Sequence, residues 1–516
     1  MTTPLDRRHF LRASGALGML GAAAPFAMQL AAAGSAASQS APDYRALVCI
    51  FLFGGNDANN MVVATDQDSY NRYWAARRTG DDPIALMPPG TAPVPIGSTS
   101  SVTGRTVASN RMPEAWGGLL PLVPRTVNPV PAGTSASVRT FGIHPLMAPA
   151  KNLFDAGRLA VVANVGTLVR PITKAQYQAR TVAYPANLFS HNDQQSTWQA
   201  GAGEGARVGW GGRMGDILAS QNGTSSLFTA ISTAGNAVWL SGQSIVQYQL
   251  STGAQPGVVI NGATGSSLFG SNVGPAKARE ILQGKSTTSL AGLDYSTVTE
   301  RSMGAAATLN SLFTQSLSAA IPAPPVYTNP VTGLTETNSL AVQLQTVAKA
   351  IASQRTTGVK RQVFFVSLGG WDTHDFQNSA QSNNLSKVAA AMAYFDGALS
   401  SIGGVDMRAN VTTFTASDFS RTFTTNGDGT DHAWGGHQLV MGGSVRGGDI
   451  YGQFPTVGVD LGTFRNPDMA GNALVPTTSV DQYAATMGRW LGVSEGNLDL
   501  IFPNLRNFAS RGMGFL

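Results

Sequence analysis

Four short apolar runs, each closing on glycine, polar or acidic residues, constrain this chain most. They are Ala46–Phe53 before Gly54-Gly55-Asn56-Asp57, Leu159–Ala163 before Asn164-Val165-Gly166, Gln362–Leu368 before Gly369-Gly370-Trp371-Asp372-Thr373-His374-Asp375, and Val411–Thr415 before Ser417-Asp418. The runs are continuous, not alternating. Strands buried on both faces of a parallel sheet read this way. Helical periods lie between them, through Leu340, Leu344, Val347 and Ile351 in 339–353 and through Val388, Met392, Phe395 and Leu399 in 385–402. Ser479-Val480-Asp481-Gln482 has the form of a capping box that opens a helix through Tyr483, Met487 and Trp490. This alternation predicts an α/β fold with a doubly wound, mostly parallel sheet.

Two segments break the rhythm. Residues 65–140 are rich in Pro, Gly and Ser and are expected to loop over the site face. Residues 220–330 are rich in Ser, Thr, Gly and Ala. They read as an inserted cap-like region, with strand-like pieces at Val238–Leu240 and Val258–Ile260 and helices around Ala276–Leu282 and Val298–Leu317.

The N-terminus carries a different signal. Arg7-Arg8-His9-Phe10-Leu11-Arg12 precedes an almost uncharged run, Ala13–Ala33, and then small residues. Ala31-Ala32-Ala33 offers a cleavage site, with 35–38 as a second choice. Basic, apolar and small-residue regions in that order form a signal peptide, and the paired arginines mark the twin-arginine type. The expectation is a signal over 1–38, a domain over 39–516, and a periplasmic or extracellular destination. No later stretch reaches membrane-spanning length, so no stable membrane insertion is expected after cleavage.

Charged residues are only 12% of the chain and the net charge is +5. There is no basic stripe, which argues against a nucleic-acid partner. Cys49 is the only cysteine, so no intrachain disulfide can form, and its place in an apolar run marks a core thiol.

Asp57, Asp372, His374 and Asp418 all fall just after predicted strands, where open parallel sheets bind ligands. The cluster Asp428–His437 adds His432 and His437. Carboxylates and imidazoles converging on one face suit a divalent metal, zinc foremost, with manganese or calcium as alternatives. One or two such ions would serve phosphoryl or sulfuryl transfer. Simpler readings stand beside these. An Asp after a strand also serves as a turn residue or helix cap. Asp372-Thr373-His374 also suits a hydrogen-bonded loop, and Asp431-His432 a buried pair. His144, before Pro145, reads as structural, and His437 as a supporting residue behind the ligands.

The chain resembles the twin-arginine-exported bacterial family DUF1501, grouped with the alkaline phosphatase and sulfatase superfamily. The motifs that carry the resemblance are Phe51–Asp57, Phe189–Trp198, Gly369–His374, Thr415–Thr422 and Gly429–His432. The resemblance implies metal binding by Asp57, Asp372, His374, Asp418 and His432. It implies attack by Ser190, or by His191 if the count runs back from Trp198, at a helix start that would stabilise a developing anion. Three departures stand out. Asp372 and His374 are closer in sequence than is usual in the superfamily. Phe419 stands where a ligand histidine usually follows Asp418. No Cys-x-Pro-x-Arg sequence is present, which argues against a formylglycine sulfatase. The expected function is hydrolysis of a small or polymeric phosphate or sulfate ester. The alternative is a non-catalytic binding or assembly protein on the same fold.

Overall fold

The computed structural model describes residues 43–516, except 133, 254–256, 258–259, 261 and 285–288. The segment expected to be an export signal and the Val258-Val259 piece lie outside the described residues.

The central sheet has nine strands: β1 (Arg45–Leu52), β2 (Leu159–Gly166), β3 (Ala230–Ser232), β4 (Tyr248–Gln249), β5 (Arg361–Leu368), β6 (Val411–Ser417), β7 (Gly436–Met441), β8 (Ile450–Tyr451) and β9 (Thr478–Ser479). Their order is β8-β2-β7-β6-β1-β5-β3-β4, with β9 also paired to β2. Only β7 runs against its neighbours β6 and β2; the other pairings are parallel. The protein is thus a mixed α/β fold built on a large, mostly parallel sheet. All four apolar runs are strands of it.

The helices that matter here are α1 (Gln67–Arg77), α2 (Ala148–Asp155), α3 (His191–Ala200), α4 (Trp210–Leu218), α5 (Leu290–Thr314), α6 (Ser339–Ala352), α7 (Gln377–Leu399) and α8 (Val480–Leu491). The pleat of β1 divides the core. Ala46, Val48, Ile50 and Leu52 pack with α2, α5, α6 and α7, whereas Leu47, Cys49 and Phe51 pack with α4 and α8. Both faces are therefore covered, which explains why the runs do not alternate. Cys49 is buried.

Four features differ from the sequence reading. Helix α7 starts eight residues before Leu385, because its first turns are buried among polar site residues and carry no apolar period. Strand β7 opens on Gly436, His437 and Gln438 before the apolar Leu439–Met441 and is nevertheless buried along its whole length. Val238–Leu240 is a 3₁₀ turn, not a strand. The segment 65–140 holds the regular helix α1 and the strand Leu120–Leu122 of a small separate sheet. Among the described residues no helix is long and apolar enough to cross a membrane.

The capping box at Ser479 forms as read, with Gln482 returning the bond. Asp481 follows it into the protein. Burial pushes its carboxyl up to about 7, and its Oδ2 has no hydrogen-bond partner. An unfolded Asp titrates near 3.9, so this group's contribution to stability is complete below about pH 4 and is lost as pH rises through 7. Asp481→Asn should therefore gain roughly 1–4 kcal/mol over wild type at pH 8 and nothing at pH 4. Urea denaturation at both pH values tests this; an equal difference at the two would overturn it.

Candidate metal centre

Strands β1, β5 and β6 end level, with Leu52 opposite both Leu368 and Ser417. Their following loops therefore leave from one place. Gly54 has φ +121°, and a Cβ there would lie 2.4 Å from the Asp372 nitrogen. Only glycine lets these two loops touch. Trp371 is buried, and its Nε1 donates to the Leu368 carbonyl at 2.9 Å. That contact pins the turn carrying Asp372 and His374. Asp418, just past β6, is fully buried and accepts from Gly54 N at 3.2 Å and Gln195 Nε2 at 2.8 Å.

Asp372 is the centre of the cluster. His191 Nε2 lies 3.3 Å from its Oδ2, and His374 Nε2 and His432 Nε2 each lie 3.1 Å from its Oδ1. The other nitrogen of each ring is also engaged. His191 Nδ1 meets Asp418 Oδ2 at 2.6 Å, His374 Nδ1 meets Asp431 Oδ1 at 3.3 Å, and His432 Nδ1 meets the Phe189 carbonyl at 2.7 Å. A carbonyl only accepts, and an ionised carboxylate only accepts. Each Nδ1 therefore carries a proton, and in a neutral ring Nε2 then offers a lone pair toward Asp372. This is how metal-binding histidines are held.

The charges of the cluster act on one another. Burial favours raising the Asp372 carboxyl, but the Arg421 guanidinium at 2.6 Å outweighs it and holds the carboxyl down to about 2. The hydrogen bond to Asp418 raises the His191 imidazole against the effect of burial. Burial lowers His432. Of the three carboxylates at the cluster, Asp372 pairs with the Arg421 guanidinium, whereas Asp418 meets His191 and Gln195, and Asp431 meets His374. Asp418 Oδ1 is buried with no donor. That unpartnered oxygen and the imidazole nitrogens facing Asp372 are donors a cation could take.

The donor set fits a divalent metal. One ligand atom each from His191, Asp372 and His432 lie within 4.8 Å of one another. Two ligands on a tetrahedral zinc lie about 3.3 Å apart, which is the spacing around Asp372 already. His374 adjoins this trio, with its Nε2 2.9 Å from His432 Nε2. Phe419 is buried against the group, its ring centroid 4.9 Å from that of His191 and 4.5 Å from that of His432.

Of the residues singled out in the sequence, Asp372, His374, Asp418, His432 and His191 come together. Ser190 heads α3 between Phe189 and His191, and its hydroxyl donates to Asp193 Oδ2 at 3.0 Å. Asp57 does not join them. Its carboxylate is fully buried, paired with Arg77 at 2.5 Å, and also bound by Gln377 Nε2 at 2.6 Å and Asn59 N at 3.1 Å. It caps the short helix Ala58–Met61, as a turn residue would. His144 and His437 are also elsewhere. Burial depresses both to about 3, and each Nδ1 accepts a backbone N–H, from Leu146 and Asn164 respectively.

Sequence reasoning did not find Arg421, Gln195, the Phe189 carbonyl or Arg77. Arg421 lies only three residues past Asp418, within a motif already quoted; a lone arginine simply carries no mark of burial. Gln195 shares a helix face with His191 at i, i+4 spacing, a signal that was available.

Residues 44–501 match the model of DUF1501, a family described as proteins of unknown function. The chain belongs to that family. No curated protein matches it.

The buried Asp57–Arg77 pair sets a prediction. Arg77→Met leaves a buried carboxylate unpaired and should cost about 3–5 kcal/mol in urea denaturation. Asp57→Asn should leave the metal content unchanged by elemental analysis; loss of metal would place Asp57 among the ligands.

Proposed function

We propose that this protein is a metal-dependent hydrolase of a phosphate or sulfate ester, on a fold like that of the alkaline phosphatases and sulfatases, exported by the twin-arginine pathway. One observation carries the reading: three imidazoles, each anchored at Nδ1, aim Nε2 at a single half-exposed carboxylate, Asp372. His191, Asp372 and His432 would hold a divalent ion, which would supply Lewis-acid polarisation of an ester oxygen. Arg421 keeps Asp372 ionised, and Asp418 orients His191. Ser190 is the side chain assigned to attack the phosphorus or sulfur; Asp193 takes its hydroxyl proton and returns it to the ester oxygen that departs as the alcohol, and water then releases the group from Ser190. No side chain caps the first turn of α3, and uncapped N–H groups at a helix start suit an anionic group. That favours an anionic ester over a neutral one.

A second reading, a non-catalytic binding or assembly protein, is favoured by one feature. Phe419 stands where the superfamily places a ligand histidine, and its ring packs on His191 and His432 without offering a donor.

Elemental analysis of the purified protein separates the two. Wild type should carry about one zinc or manganese per chain, lost in Asp372→Ala and in His432→Ala. Metal-free wild type would sink the hydrolase. With metal present, nitrophenyl phosphate monoesters, diesters and sulfates should reveal turnover that Ser190→Ala reduces by at least about 10³-fold. A metal-loaded protein inert toward all three supports the binding reading.

A further inference from the structure

The segment 65–140 encloses a second cavity, away from the histidine cluster. Its volume is about 250 Å³, and its walls include Trp74, Arg78, Met87, Val102, Arg105 and Glu114. Liquid water occupies about 30 Å³ per molecule, so the space suits a ligand of a single ring and its substituents. Three wall properties are unusual together. Trp74, Met87 and Val102 make an apolar face against which a ring can lie. Arg78, just past the end of α1, is exposed, and among the described residues its guanidinium has no hydrogen-bond or ion-pair partner. Glu114 is fully buried: its Oε1 accepts from Thr103 Oγ1 at 2.9 Å and Arg105 at 3.3 Å, yet its Oε2 has no donor.

We propose that this cavity binds a hydroxylated ring carboxylate, of the class of an acidic monosaccharide unit. Each wall property selects one part of that chemistry. The free guanidinium takes the carboxylate, which it matches in two parallel N–H···O bonds. The apolar face takes the C–H face of the ring. The donor-free oxygen of Glu114, sealed in the free protein, takes a ring hydroxyl once the side chain turns into the cavity, since a buried acceptor without a donor is otherwise costly. A plain hydroxylated ring lacks the first contact and an aromatic carboxylate lacks the last. Asp82 acts electrostatically on Arg105 and Glu114, and burial raises its carboxyl, which weakens it as a competitor for the guanidiniums.

The cavity also touches the neighbourhood of the histidines through its rim. Asn378 Nδ2 donates to the carbonyl of Pro83, a lining residue, at 3.0 Å. Gly80 packs on the backbone of Gly427, whose neighbour Asn426 donates to the His374 carbonyl at 3.0 Å. The inference uses no residue of the metal cluster and stands whether or not that cluster is hydrolytic.

Isothermal titration calorimetry on the full chain tests it, with glucuronate, glucose and benzoate as probes. Glucuronate should bind at least about tenfold more tightly than glucose or benzoate, and Arg78→Gln should remove that preference over glucose. Arg78 is exposed, so this variant should fold as wild type does. Glu114→Gln should weaken glucuronate and leave benzoate unchanged; if it fails to fold, the comparison of glucuronate with benzoate on wild type reads the same contact. No heat with glucuronate at millimolar concentration, equal binding of benzoate, or an unaltered Arg78→Gln would each overturn the proposal.

Discussion

The level ending of β1, β5 and β6 is the constraint on which the site depends. Three parallel strands whose last residues pair across the sheet deliver three loops to one point. No flexible segment has to be recruited. The loops then lock to one another through short-range contacts: Gly54 against Asp372, the Gly54 amide on Asp418, and Trp371 on Leu368. A carboxylate placed at such a junction is positioned by the sheet itself, which is a stiffer support than any surface loop.

Charge is then partitioned in depth. Arg77 neutralises Asp57 at the lower level, and Arg421 reaches up to Asp372. The two levels are joined by a chain of polar contacts: Arg421 to the Thr430 hydroxyl, Thr430 to Gln377, and Gln377 to Asp57. The lower carboxylate is thereby fully compensated. The upper cluster, with Asp418 and Asp431 added, is not. That imbalance separates a structural acid from acids available to a ligand, although both follow strands in the same way.

Much of this was legible in the chain. The continuous apolar runs reported the buried sheet because both faces of β1 pack against helices. Asp372, His374, Asp418 and His432 were legible from their places after strands and in the late Asp-His cluster. Asp57 shows the limit of that rule. Its partner Arg77 comes from α1, in a segment read as loop, and nothing in the sequence links the two. Strand β7 and the first turns of α7 were hidden for one shared reason: their buried residues include polar ones whose hydrogen bonds are met inside the protein, so hydrophobic periodicity is silent there. Membership of DUF1501 agrees with the motifs from which it was expected.

One anchor in the cluster belongs to the main chain. His432 is held by the carbonyl of Phe189, a residue at φ +75°, in the left-handed region that non-glycine residues rarely adopt. The neighbouring turn residue Asn187 is left-handed too, at φ +51°. The orientation of that imidazole is therefore encoded in a turn's shape and not in a side chain's identity. A scan that truncates side chains one by one would pass over this contact, and glycine, which accepts such a φ freely, would preserve the geometry that a β-branched residue would spoil. The tautomer of His432 is here a property of backbone conformation.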